Sequence, residues 1–138
     1  MTSLAKRAGA ALGWSVFACS AALRTVPIGP EPATAPPPIL VDAPPPPAKI
    51  EHVPPDPGAP CAWLDGQWGW VGETWEWTPG AWVVPPADCH FVPGRFGWAE
   101  GADRSLLFFA PGRWYHDESS ATCAAPAACN GSGPPASK

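Results

Sequence analysis

Positive charge is scarce in this chain, and so are the motifs of catalysis. Eight Lys and Arg residues stand against twelve Asp and Glu, and between Cys61 and Glu118 the basic residues are Arg95, Arg104 and Arg113 alone. A segment so poor in cations has no electrostatic footprint for phosphate backbones or anionic lipid surfaces, which argues against nucleic acid as a partner. No Cys-x-x-Cys or spaced His pair accompanies Asp88-Cys89-His90 or His116-Asp117-Glu118, so neither cluster reads as a metal site, and His90 is expected to be solvated. Ser105 and Ser119 lack the setting of a catalytic nucleophile, and no Gly-rich loop leads into a helix. Nothing places two of Glu73, Glu76, Asp88, Glu100 and Asp103 in one cleft. The expectation is a protein without catalytic residues, metal or cofactor.

Proline and tryptophan are abundant, and they segregate. Fourteen of the 22 prolines lie from Pro27 to Pro60, whereas eight of the nine tryptophans lie from Trp63 to Trp114. This division predicts a signal segment 1–18, a Pro-rich linker 19–60, a Trp-rich domain 61–118 and a disordered tail 119–138. Lys6-Arg7 followed by the apolar run Ala8 to Ala18 has the form of a secretory signal and is too short to span a bilayer as a helix. It ends in Val16-Phe17-Ala18-Cys19, which resembles the bacterial lipobox and implies a lipid on Cys19. Ser20, rather than Asp, follows that cysteine, and the resemblance implies an outer-membrane destination. The alternative is ordinary cleavage near Ser20-Ala21-Ala22, giving a soluble periplasmic or secreted protein. From Cys19 onward, six basic and twelve acidic residues give a net charge of −6.

The linker carries Pro36-Pro37-Pro38 and Pro44 to Pro47 with few apolar side chains to bury, so the expected state is a disordered polyproline II spacer. Extended at ~3.1 Å per residue, it would reach on the order of 100 Å. A competing reading makes the proline runs docking sites for an aromatic groove on another protein.

Between Cys61 and His116 one pattern recurs four times: Cys61-x-Trp63-x-Asp65-Gly66-x-Trp68-x-Trp70, Trp75-x-Trp77-x-Pro79-Gly80-x-Trp82, Cys89-x-Phe91-x-Pro93-Gly94-x-Phe96-x-Trp98 and Leu107-x-Phe109-x-Pro111-Gly112-x-Trp114. Apolar positions at period two around a turn dipeptide describe β-hairpins. A type II′ turn at Gly72-Glu73 sets Trp70 opposite Trp75 and Trp68 opposite Trp77. The same rule at Asp65-Gly66 pairs Trp63 with Trp68, and at Pro79-Gly80 it pairs Trp77 with Trp82. The fold class is therefore all-β: a small antiparallel meander of up to eight short strands, folded over on itself or forming a partly open barrel. With so little else to fold around, most rings belong inside. Trp98, Trp114 and Tyr115, beside the polar loop 100–104, are the candidates for an outward ligand platform.

Without Cys19, Cys61, Cys89, Cys123 and Cys129 remain, an even number that predicts two disulfides in an exported chain. Three pairings are open. Equivalent repeat positions favour Cys61 with Cys89, leaving Cys123 to close a small loop with Cys129.

Trp75-x-Trp77-x-Pro79-Gly80-x-Trp82 resembles the core of the YXWGXW (WXXGXW) repeat of bacterial exported proteins and lipoproteins. Phe91-Val92-Pro93-Gly94-Arg95-Phe96 and Phe109-Ala110-Pro111-Gly112-Arg113-Trp114 resemble further copies. Trp75 stands where the family has Tyr, and two copies use Phe. The resemblance covers residues 61–116 and implies a cell-envelope setting with no established catalytic activity. Taken together, the sequence points to a non-enzymatic envelope lipoprotein that touches the membrane through its N-terminal lipid and displays a Trp-rich domain for a structural or interaction role. The alternative is a glycan-binding module, so its outside partner is an envelope glycan or protein.

Overall fold

The Gly72-Glu73 turn closes a hairpin in the expected register, with Val71 opposite Thr74, Trp70 opposite Trp75 and Trp68 opposite Trp77. Both turn residues have positive φ, 52° at Gly72 and 69° at Glu73, so the turn is type I′ rather than type II′. The structure is a computed structural model describing residues 22–100 and 105–129. The signal segment 1–18, Cys19 and residues 130–138 lie outside the described residues.

Among the described residues ten strands follow in chain order: β1 (Ile39–Leu40), β2 (Ala62–Leu64), β3 (Gln67–Val71), β4 (Thr74–Thr78), β5 (Ala81–Val84), β6 (Cys89–Val92), β7 (Arg95–Glu100), β8 (Ser105–Ala110), β9 (Arg113–His116) and β10 (Ala127–Ala128). The described residues contain no helix, and the strands form antiparallel sheets ordered β1-β8-β7, β10-β5-β2, β3-β4 and β6-β9. None of these sheets closes into a barrel. The all-β expectation holds.

The hairpin order differs from the expected meander. β2 pairs with β5 rather than β3, setting Trp63 opposite Trp82 and Leu64 opposite Ala81. Gln67 faces Thr78 on the other side of the interruption, so Asp65-Gly66 lies opposite Pro79-Gly80 with no residue inserted. The second half of the chain repeats this plan. Val92 faces Arg113 and Arg95 faces Ala110, which puts Pro93-Gly94 opposite Pro111-Gly112. The four copies therefore build two long hairpins, each interrupted once, instead of four short ones.

The glycines explain the interruption. Among the described residues, the glycines with positive φ are Gly58 and Gly72; the four repeat glycines do not have the backbone of a two-residue hairpin turn. They are needed for close approach. A Cβ on Gly66 would fall into the Trp77 ring, one on Gly80 into the Trp63 ring, and one on Gly112 into the Phe91 ring. A Cβ on Gly94 would lie 3.4 Å from the Phe109 ring. In every copy, the aromatic residue three positions before a glycine covers the glycine of the copy opposite.

Cross-strand aromatic pairs line both hairpins. Ring centroids lie 5.6 Å apart for Trp63 and Trp82, 5.1 Å for Trp68 and Trp77, and 5.0 Å for Trp70 and Trp75, all edge-to-face. Trp82 is 1% exposed. Burying such a ring removes roughly 200 Å² from water, worth on the order of 5 kcal/mol, which is why the ring faces inward.

Neither the linker nor the start of the tail behaves as a disordered segment. Thr25 bridges Trp63 and Ile28 bridges Phe91, both in parallel sense, so residues 25–28 join the bases of the two hairpins. Val26 between them is buried with Ala62, Val83, Phe91 and Trp114. β1 docks on β8, β10 docks on β5, and Thr122 bridges Tyr115. Both flanking segments thus complete sheets that the repeat alone leaves open.

Candidate interaction surface

Indole N–H groups are hydrogen-bond donors only, and the carbonyls that face the partner strand of a hairpin are already occupied. Proline has the reverse property, since it keeps its carbonyl but contributes no N–H to a ladder. The Pro-rich segment therefore supplies acceptors that the tryptophans need. Trp75 Nε1 donates to the Ala43 carbonyl at 2.8 Å, Trp68 Nε1 to Pro47 at 3.3 Å and Trp82 Nε1 to Pro54 at 3.1 Å. Glu51 supplies the acidic anchor: its carboxylate accepts from Trp77 Nε1 and from the Gly80 amide, each at 2.9 Å. Lys49 Nζ sits 5.4 Å from the centroid of the Trp68 ring, within cation–π range. Together these contacts hold residues 43–54 as a strap along the first hairpin.

Beside the strap is an apolar cleft of about 440 Å³, walled by Trp68, Trp77, Phe96, Phe109, Leu64 and Pro45. Trp75 stacks edge-on against Phe109 with centroids 4.9 Å apart, and Trp70 packs on the same cluster of Val41, Leu107 and Phe109. That cover ends at β8. Phe96, opposite Phe109, and Trp98, opposite Leu107, carry the same sheet face one strand further out. They are 52% and 64% exposed and, among the described residues, are the aromatic side chains open to solvent. No described strand pairs with the outer edge of β7.

The expectation that Trp98, Trp114 and Tyr115 face outward is therefore corrected: of the three, Trp98 is open to solvent, with Phe96 exposed beside it. Trp114 is 7% and Tyr115 3% exposed; β9 packs its Trp114 ring against Phe91, and Thr122 of the returning tail bridges Tyr115. In the sequence Phe96 stands out as a position of the aromatic repeat, and its period-two relation to Trp98 is the signal that puts it on the same exposed face.

The cysteine pairing is also corrected. Cys61 bonds to Cys129 and Cys89 to Cys123. Cys61 and Cys89 do hold equivalent places, but at the bases of separate hairpins, and each reaches the tail rather than the other. Two disulfides are those of an oxidising, non-cytoplasmic compartment. No helix among the described residues is long and apolar enough to cross a membrane.

β6–β9 pairing brings together the two clusters weighed as metal sites. Cys89 Sγ, Cys123 Sγ and His116 Nδ1 lie within 4.8 Å of one another. Both sulfurs are joined in a disulfide, so they offer no thiolate to a metal. His90 is not solvated as expected. Its Nδ1 lies 2.8 Å from Asp117 Oδ1 and its Nε2 3.0 Å from the Pro30 carbonyl. Both partners are acceptors, and only the imidazolium donates from both nitrogens. The Asp117 hydrogen bond, seconded by the Pro30 carbonyl, raises the His90 pKa above its ordinary 6.5. Comparison of the chain with protein-family models, with curated proteins and with solved structures finds no match.

Proposed function

We propose that this chain is a non-enzymatic lipoprotein of the bacterial cell envelope, anchored through Cys19, whose Trp-rich β domain has a structural or interaction role at the outer membrane. The observation that carries the reading is the division of labour among the rings. The ladder is buried or half-buried and grips the strap, while Phe96 and Trp98 alone among the described aromatics face solvent, on a strand whose outer edge no described strand pairs. Such an edge accepts an extended segment of another protein by backbone pairing. The two disulfides and the resemblance to the YXWGXW repeat support an exported setting.

Anchoring is tested by metabolic labelling with a fatty-acid analogue. Wild-type protein takes the label and Cys19→Ser does not; label retained on Cys19→Ser rejects the anchored reading. Adjacent exposed rings at Phe96 and Trp98 also favour glycan binding as a second reading. Titration with wall glycans and soluble oligosaccharides while following Trp fluorescence separates the two. Quenching that disappears in Trp98→Phe favours the glycan module, and an unchanged spectrum favours the interaction domain.

A further inference from the structure

The first hairpin holds its strap in the way aromatic grooves hold proline-rich peptides, with indole donors on proline-segment carbonyls. Acceptors at Ala43, Pro47, Glu51 and Pro54 follow one another along a single extended segment, and the donors come from Trp75, Trp68, Trp77 and Trp82. Glu51 fixes the register, because its two carboxylate oxygens engage a side chain and a backbone amide on opposite sides of Pro79. Pro45 lines the apolar cleft together with Trp68 and Trp77. These contacts are mostly at or near the surface; on its N-terminal side the segment follows directly on β1, which is paired with β8, and on its C-terminal side proline-rich chain without regular structure leads to β2.

We propose that the tryptophan hairpin is a receptor for an extended proline-rich segment bearing a carboxylate, filled in this structure by the chain's own residues 43–54, and that the same segment of a second copy can replace it. The groove and its ligand then make the chain self-complementary, so exchange of straps links copies that lie side by side on a membrane. Within one chain the strap competes at the millimolar effective concentration typical of short linkers, so occupancy in trans is favoured only where copies are crowded or the strap is loosened.

The test uses a fluorescein-labelled peptide of residues 39–56 added to the full chain, followed by anisotropy. Glu51→Ala in the chain weakens the internal strap but leaves every indole donor in place. Labelled peptide is expected to bind this variant about tenfold or more tightly than it binds wild type, the change set by loss of a charge-assisted hydrogen bond from the competitor. Binding must fall when the peptide carries Glu51→Ala and when the chain also carries Trp77→Phe. Glu51→Gln, which keeps the shape and one acceptor oxygen, replaces Glu51→Ala if the latter does not fold. Absence of peptide binding to the loosened chain overturns the proposal, as does binding indifferent to the peptide's Glu51 or to Trp77.

Discussion

Glycine and aromatic residues in this protein act as reciprocal pairs. Trp63 covers Gly80 while Trp77 covers Gly66, so each copy of the repeat supplies the ring that its partner's missing side chain admits. Gly66→Ala and Gly80→Ala are therefore expected to cost about 1–3 kcal/mol each through overpacking, measured by urea unfolding. Gly69 provides the contrast. A Cβ there meets only the Glu76 carbonyl at 3.9 Å, an ordinary contact, so Gly69→Ala should leave stability unchanged or raise it by roughly 0.5 kcal/mol through reduced unfolded-state entropy. At His90 the prediction concerns pH. Its folded pKa is raised, so the stabilisation is fully present below the ordinary value of 6.5 and is lost as pH rises through the folded value. In Asp117→Asn that decline above pH 6.5 should largely vanish, as read from urea midpoints across the same range.

Strand pairing shows where local sequence ceases to decide. Gly72-Glu73 was legible because turn, alternation and partner strand lie within a few residues of one another. Asp65-Gly66 and the three Pro-Gly pairs carry the same local signal, yet they interrupt long hairpins instead of closing short ones. A turn dipeptide is compatible with both outcomes, and the choice rests on which distant arm buries Trp63 or Phe91. The disulfides follow from that choice. Cys61–Cys129 joins residues 68 apart and Cys89–Cys123 residues 34 apart. On the chain-entropy account each closes enough chain to contribute roughly 4 kcal/mol, so Cys61→Ser/Cys129→Ser and Cys89→Ser/Cys123→Ser should each lower the thermal midpoint substantially. Mass spectrometry of unreduced peptides should recover these two linkages and no Cys61–Cys89 peptide.

For the molecule as a whole, residues 25–28 and the tail belong to the cooperative unit. Residues 25–28 lie between the two hairpin bases, and the tail reaches both β9 and β5. Tryptophan fluorescence, near-UV circular dichroism and calorimetry should consequently report one transition. A separate early transition in the fluorescence would show that the strap detaches on its own. Replacing Pro54, Pro47 and Ala43 together by Gly should increase acrylamide quenching of the tryptophans, because a more flexible strap holds its carbonyls less well against the indoles.

Sequence by itself determined the local chemistry: the β alternation, one hairpin, an even set of cysteines for oxidation, a surplus of indole donors and a segment rich in unclaimed carbonyls. Tertiary structure decided which arms pair, which cysteines meet, which rings stay outside and where the proline segment lies. The reason is range. Periodicity and turn chemistry act over a few residues, whereas donor and acceptor as far apart as Trp75 and Ala43, or sulfurs as far apart as Cys61 and Cys129, find each other only when the whole chain has buried its rings.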